Sequence, residues 1–222
     1  MIILHGFPYS NYYNIVKHVL MHKDIPFEED LVYGSEEDWL TISPVGKVPA
    51  ITVDQGGHLS ESSVCCDYLE ENYSGQPLYP EDAYARNYVR QIMKLSELYL
   101  ELPCRRLVPF VFTDSEAPEE LKADIRATVE RGVAALTRLC EFDPYLAGTE
   151  LTLADIYMRY VLSVVEMVGT AKMDWDIIAE IPGLREWQAM MADSDIARKI
   201  DADREANGPE FFAYLKKRFG AQ

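Results

Sequence analysis

The sequence is short of cysteine and of positive charge, and it has no long uninterrupted apolar run. Only four cysteines, Cys65, Cys66, Cys104 and Cys140, occur in 222 residues. They form neither a Cys-x-x-Cys pair nor a spaced disulfide framework, which argues against a stapled secreted scaffold and suits a reducing compartment. Lysine plus arginine number 21 against 37 aspartate plus glutamate, a formal net charge of −16 with a pI near 4.6. A surface of that sign repels phosphate backbones and anionic headgroups, so neither nucleic acid nor membrane is an expected partner. The longest apolar stretch, 151–168, is broken by Asp155, Arg159 and Glu166 and reads as a buried helix, not a bilayer span. Met1 to Gly6 has no basic region and meets Gly6 and Pro8 before any apolar run of signal-peptide length, so a cytoplasmic location is expected. No internal repeat or low-complexity run occurs. His18 and His22 are spaced i, i+4, but no glutamate follows His18 to make a zinc motif, so no metal is expected and both are read as partly exposed. His5 and His58 stand isolated.

What remains is ordinary for a globular chain: 48% hydrophobic and 26% charged residues, enough for one large or two small domains and incompatible with disorder. Ile2 to Leu4 reads as a short strand, followed by a turn-rich 6–11 and a helix with Ile15, Val16, Val19 and Leu20 on one face. Pro26 to Val32 reads as a second strand and Val48 to Val53 as a third. Gln55-Gly56-Gly57-His58 reads as a hairpin turn before Leu59, and a helix through Val64, Tyr68 and Leu69 stops near Gly75. The order is β-α-β, then β-β-α. Two prolines in 76–83 mark that segment as a linker between a domain at 1–75 and one at 84–222. Beyond it no strand is expected. Helical periodicity runs through 85–102, 121–140, 152–169, 182–192 and 211–219, an all-α second domain.

Three local patterns follow in chain order. Ser10 stands where a strand and loop meet a helix; Ser43-Pro44-Val45-Gly46-Lys47-Val48-Pro49-Ala50-Ile51 comes next; Ser60-Glu61-Ser62 then opens a helix. A fourth, Tyr145-Leu146-Ala147-Gly148-Thr149-Glu150-Leu151-Thr152-Leu153-Ala154-Asp155, precedes the long apolar helix. Together they resemble the glutathione transferase family over nearly the whole chain, the second and fourth patterns being the most specific. The resemblance implies an α/β thioredoxin-like N-terminal domain that binds glutathione, an all-α C-terminal domain, and a homodimeric detoxification enzyme that uses glutathione as co-substrate.

By that resemblance Pro49 is cis and turns the backbone outward, so that Val48 exchanges main-chain hydrogen bonds with the cysteinyl part of glutathione. Lys47 is then the cation for the glycyl carboxylate. Glu61 and Ser62 precede a helix whose unpaired N–H groups and positive dipole end make an anion site. The resemblance gives Ser62 the α-carboxylate of the γ-glutamyl group and gives Glu61 the positioning of that end. The plain alternative is that Ser62 only caps the helix.

Catalysis needs the glutathione thiolate, and a thiol of pKa about 8.5 is only a few per cent ionised at neutral pH. Ser10, at a helix start, matches the serine of the serine-type classes and combines a hydroxyl donor with the helix N-terminus. Asn11 stands where proline is common in those classes, and Ile15 where arginine is frequent. Asn11 is therefore a second candidate donor, Tyr9, Tyr12 and Tyr13 are phenol alternatives, and helix capping alone is the bland role for Ser10. Cysteine at that position would imply mixed-disulfide chemistry; its absence favours conjugation of the thiolate to a small apolar electrophile. A glutathione-dependent disulfide reductase and a non-enzymatic binding module are the other functions this scaffold serves. Thr152 and Asp155 form a Thr-x-x-Asp variant of the capping box, a structural device. Tyr99, Leu102, Phe110, Phe112, Phe211 and Phe212 are candidates for an electrophile pocket, with core packing the commoner role.

Overall fold

The computed structural model describes residues 1–34, 38–113 and 115–219. By contacts it divides into two units. The first joins Met1–Leu78 to Ser194–Phe211; the second comprises Tyr79–Asp193 and the residues from Phe212 onward.

In the first unit, β1 (Ile2–Gly6) runs into α1 (Asn11–His22), which returns the chain to β2 (Phe27–Leu31) alongside and parallel to β1. A parallel neighbour needs a crossover, and α1 supplies it. After the single turn α2 (Trp39–Ile42) come the antiparallel β3 (Ala50–Thr52) and β4 (His58–Ser60), then α3 (Ser62–Asn72), giving strand order β2-β1-β3-β4. The third strand is shorter than the apolar run predicts, because Val48 and Pro49 precede the ladder and are not part of it. Side chains alternate across a strand. Ile2 and Leu4 are fully buried, as are Ile51, Ile15, Val16, Val19 and Leu20 of α1 and Cys65, Cys66 and Leu69 of α3. Across the strands runs a polar chain: Asp30 Oδ2 to His5 Nδ1 at 2.8 Å, His5 Nε2 to Thr52 Oγ1 at 2.7 Å, and Thr52 Oγ1 to His58 Nδ1 at 2.9 Å. The two histidines that look isolated in sequence thus share a network.

Helix α1 is covered along almost its whole length, so His18 is buried and not partly exposed. Lys17, equally buried, reaches Glu29 of β2 at 2.8 Å and Asp203 at 2.9 Å. Asp203 belongs to α10 (Asp195–Phe219), a much longer helix than the 211–219 segment periodicity predicts. Pro209 inside it masks the continuation, since an interior proline normally ends a helix. By contacts, residues 194–211 group with the N-terminal residues.

The second unit is helical: α4 (Ala83–Ser96), a π-helical turn at Glu97–Glu101, α5 (Leu102–Arg105), α6 (Val108–Val111), α7 (Glu119–Leu139), α8 (Leu153–Val168), a second π-helical turn at Gly169–Met173, and α9 (Leu184–Ala192). Helix α8 is its centre, with Ile156, Met158, Val161, Leu162, Val165 and Val168 fully buried, as an apolar helix surrounded by others should be. A Cβ at Gly132 of α7 would lie 2.7 Å from Tyr99 Cβ, so only glycine lets α7 approach the first π-helical turn. That turn interrupts the helix expected through 85–102 and leaves Tyr99 and Leu102 exposed; Phe212 is exposed as well, so core packing does not hold for these three. No described helix is long and apolar enough to cross a membrane.

Candidate active site

Three residues from different strands stand side by side in the sheet: His5 of β1, Ala50 of β3 and Ser60 of β4. From that row β1 continues to Gly6 and the loop to Ser10, β3 is entered from Pro49, and β4 continues to Glu61. Ser10, Val48-Pro49 and Glu61-Ser62 therefore all emerge at one end of the sheet. With strands about 4.8 Å apart, β1 and β4 are separated by about 10 Å, the reach of an extended tripeptide.

Ser10 is the N-cap of α1, its extended backbone donating N–H to Phe7 O at 3.0 Å. Its Oγ accepts from Tyr13 N at 3.4 Å, which uses a lone pair and leaves the hydroxyl proton uncommitted among the described residues. Capping and donation are thus compatible. Asn11 is the first helical residue and is buried. Tyr13 is engaged elsewhere: it is buried, donates its hydroxyl to Glu29, and burial together with that carboxylate pushes its phenol far above the ordinary value. Tyr9 stacks on Phe211 with ring centroids 4.4 Å apart and carries the Arg204 guanidinium 4.3 Å from its centroid.

The Val48–Pro49 peptide is cis, and Val48 has no main-chain hydrogen bond to any described residue. The loop before it is built on Ser43, which is fully buried. Ser43 donates its hydroxyl to Lys47 O at 2.7 Å and accepts from Lys47 N at 3.3 Å, while its carbonyl accepts from Gly46 N at 2.8 Å. Gly46 closes the turn at φ 71°, a conformation glycine adopts at no steric cost. The Lys47 side chain is exposed and has no partner among the described residues.

Glu61, not Ser62, is the N-cap of α3, at φ 68° and ψ 115° with no side-chain cap bond. A non-glycine residue at such a φ is strained, and backbone strain of this kind gathers at functional sites. Ser62 is the first helical residue and is buried. Neither α1 nor α3 has an acidic residue in its first turn, although Glu61 stands at the N-cap of α3, and both positive dipole ends face this end of the sheet.

Burial pushes the thiols of Cys65, Cys104 and Cys140 up to about 12 and that of Cys66 well above its usual value. None of them is a thiolate at neutral pH. Among the described residues no group of three or more His, Cys, Asp or Glu is placed to hold a metal ion.

Two family descriptions match the chain: "Glutathione S-transferase, N-terminal domain" over residues 4–77 and "Glutathione S-transferase, C-terminal domain" over residues 83–187. A glutathione S-transferase from Pseudomonas putida is 38% identical over 217 residues, covering 97% of this chain and 98% of its own. The chain belongs to the glutathione S-transferase family. It is an enzyme of that family, with a thioredoxin-like N-terminal fold and a helical C-terminal part. A Pseudomonas aeruginosa maleylacetoacetate isomerase is 28% identical over 147 residues, 66% of this chain and 69% of its own. Poplar glutathione transferase F1 shares the fold at a TM-score of 0.74 and 20% identity, covering 92% of this chain and 98% of its own. The two family descriptions end at residue 187, short of α10, whereas the match to the Pseudomonas putida relative covers 97% of the chain.

The site residues that sequence reasoning did not single out are Ser43 and Asn207. Ser43 lies within a quoted motif, but its bracing of Lys47 shows only in three dimensions. Asn207, whose Oδ1 accepts from Tyr9 N at 3.2 Å, is nearly two hundred residues from the loop it touches and had no local signal.

Proposed function

We propose that this glutathione transferase binds glutathione across the β1-β3-β4 end of the sheet and activates its thiol through Ser10. The observation that carries this is the convergence there of an uncommitted Ser10 hydroxyl proton, an unpaired Val48 main chain and the start of α3. Val48 pairs with the cysteinyl backbone in the manner of an added strand. Ser62 and the α3 N-terminus take the γ-glutamyl carboxylate, with Glu61 orienting that end, and Lys47 takes the glycyl carboxylate. Pro49 ends the segment that presents Val48.

A hydroxyl donor and a helix N-terminus both favour the sulfur anion over the thiol. Lowering the pKa from about 8.5 to about 7.5 would raise the thiolate from a few per cent to roughly a quarter at pH 7. Asn11 is the reserve donor at the same helix start. The net charge of −16 opposes an anionic ligand at long range, so affinity must come from these local groups.

The reaction we propose is transfer of the thiolate to a small apolar electrophile, in keeping with the family to which the chain belongs. Protein thiols held in the protonated form disfavour the alternative of disulfide reduction through an enzyme cysteine. We further propose a cytoplasmic homodimer with a detoxification role, and a domain boundary at the 76–83 linker. Calorimetric titration with glutathione, paired with assays on an aryl halide and a glutathionylated disulfide, tests the proposal. Binding with conjugation supports it; no binding supports the non-enzymatic module, and binding with disulfide reduction alone supports the reductase.

A further inference from the structure

The loop that delivers Ser10 is the turn Phe7-Pro8-Tyr9-Ser10, closed by Ser10 N to Phe7 O at 3.0 Å. Within it the Pro8 carbonyl accepts from Asn14 Nδ2 of α1 at 2.9 Å. The bond that closes the turn does not use the Tyr9 N–H. Its acceptor is Asn207 Oδ1, 3.2 Å away on α10. Asn207 is buried, and its amide nitrogen donates to the Tyr33 hydroxyl at 3.1 Å and lies 3.5 Å from Glu210 Oε2. The oxygen and nitrogen of the amide are thus both committed, which fixes its orientation.

One turn further along α10, Phe211 stacks on both Phe7 and Tyr9, at centroid distances of 5.4 and 4.4 Å, while Tyr33 stacks on Phe7 at 4.7 Å. One turn earlier Asp203 holds Lys17 of α1. A single helix face therefore grips the turn on one side of Ser10 and the helix on the other. All of these residues lie in the first unit.

We infer that Asn207 is a positioning residue for Ser10: by accepting the Tyr9 N–H it sets the Phe7–Ser10 turn so that the Ser10 hydroxyl faces the glutathione sulfur. This rests on the role proposed above for Ser10. Asn207 touches no substrate and acts only through the turn. A hydroxyl is effective as a thiolate donor over a few tenths of an ångström, and a turn whose Tyr9 N–H has lost its acceptor will rotate toward one.

The test is the pH dependence of the bound thiolate, followed by its ultraviolet absorbance, in the wild type, Asn207→Ala and Asn207→Ser. In Asn207→Ala the bound thiol pKa should rise by about one, and kcat/KM with an aryl halide should fall about tenfold at pH 6.5 and converge on wild type near pH 9. The glutathione Kd should change less than threefold. Asn207→Ser retains an acceptor oxygen, but one bond nearer the backbone, and should fall between the two; it carries the test if Asn207→Ala does not fold. A wild-type thiolate pKa retained in both variants, with only the melting temperature or KM altered, overturns the inference and leaves the Ser10 proposal standing. No thiolate in the wild type overturns both.

Discussion

The buried Ser43 hydroxyl donates to the Lys47 carbonyl at 2.7 Å, tying the end of α2 to the residue just before Val48. Removing it leaves a carbonyl short of its donor, a loss worth about 1–2 kcal/mol. Ser43→Ala should lower unfolding free energy by that amount in denaturant titrations. By loosening Val48 it should also weaken glutathione binding about fivefold in calorimetry, with the bound thiol pKa unchanged.

Asp155 is fully buried and accepts from four donors: Leu146 N, Thr152 N, the Thr152 hydroxyl and the Trp187 indole, at 2.8 to 3.0 Å. Burial holds its carboxyl above the usual range, against the pull of those donors. The capping box is thus also the joint between α8, the preceding loop and α9. Asp155→Ala strands several buried donors and should cost about 3 kcal/mol of stability. In the fraction that folds, the bound thiol pKa should match the wild type; a rise would give Asp155 a part in catalysis that its position does not support.

His22 has its Nε2 buried without a hydrogen-bond partner among the described residues, and burial, aided by Lys23, lowers its pKa below 6.5 despite Glu70 and Asp24. The neutral ring is therefore favoured by folding. Its contribution to stability is fully present above pH 6.5 and is lost as pH falls through the lowered folded value. His22→Gln should flatten the slope of unfolding free energy against pH between about 7 and 5, read from urea titrations. An unchanged slope would assign the acid sensitivity of the fold to other groups.

The four cysteines are predicted to be bystanders. With their thiols raised by burial, iodoacetamide at pH 7 should leave conjugating activity intact over an hour and label little protein by mass spectrometry. Rapid inactivation with single-site labelling would point instead to a protein thiol in the reaction.

How far the sequence foretold this arrangement depended on the range of the signal. The β-α-β and β-β-α order follows from short apolar runs, Gly56-Gly57 and helical periodicity, all local. Thr152-x-x-Asp155 named its own capping box for the same reason. Ser10, Val48 and Ser62 were legible as motifs, while the row of His5, Ala50 and Ser60 that aligns them is a register that only the folded sheet supplies. What stayed hidden was long range or contrary to propensity. Pro209 disguised α10, a π-helical turn broke the regular pattern around Tyr99, and Asn207 meets Tyr9 only after the whole chain has folded.

The central claim is that Ser10 stabilises the glutathione thiolate, and the direct measurement is the ultraviolet absorbance of bound glutathione against pH in the wild type and Ser10→Ala. The account predicts a wild-type thiol pKa below about 7.5 and, in Ser10→Ala, a return toward the free value of about 8.5, with glutathione still bound. The same pKa in both proteins would contradict it.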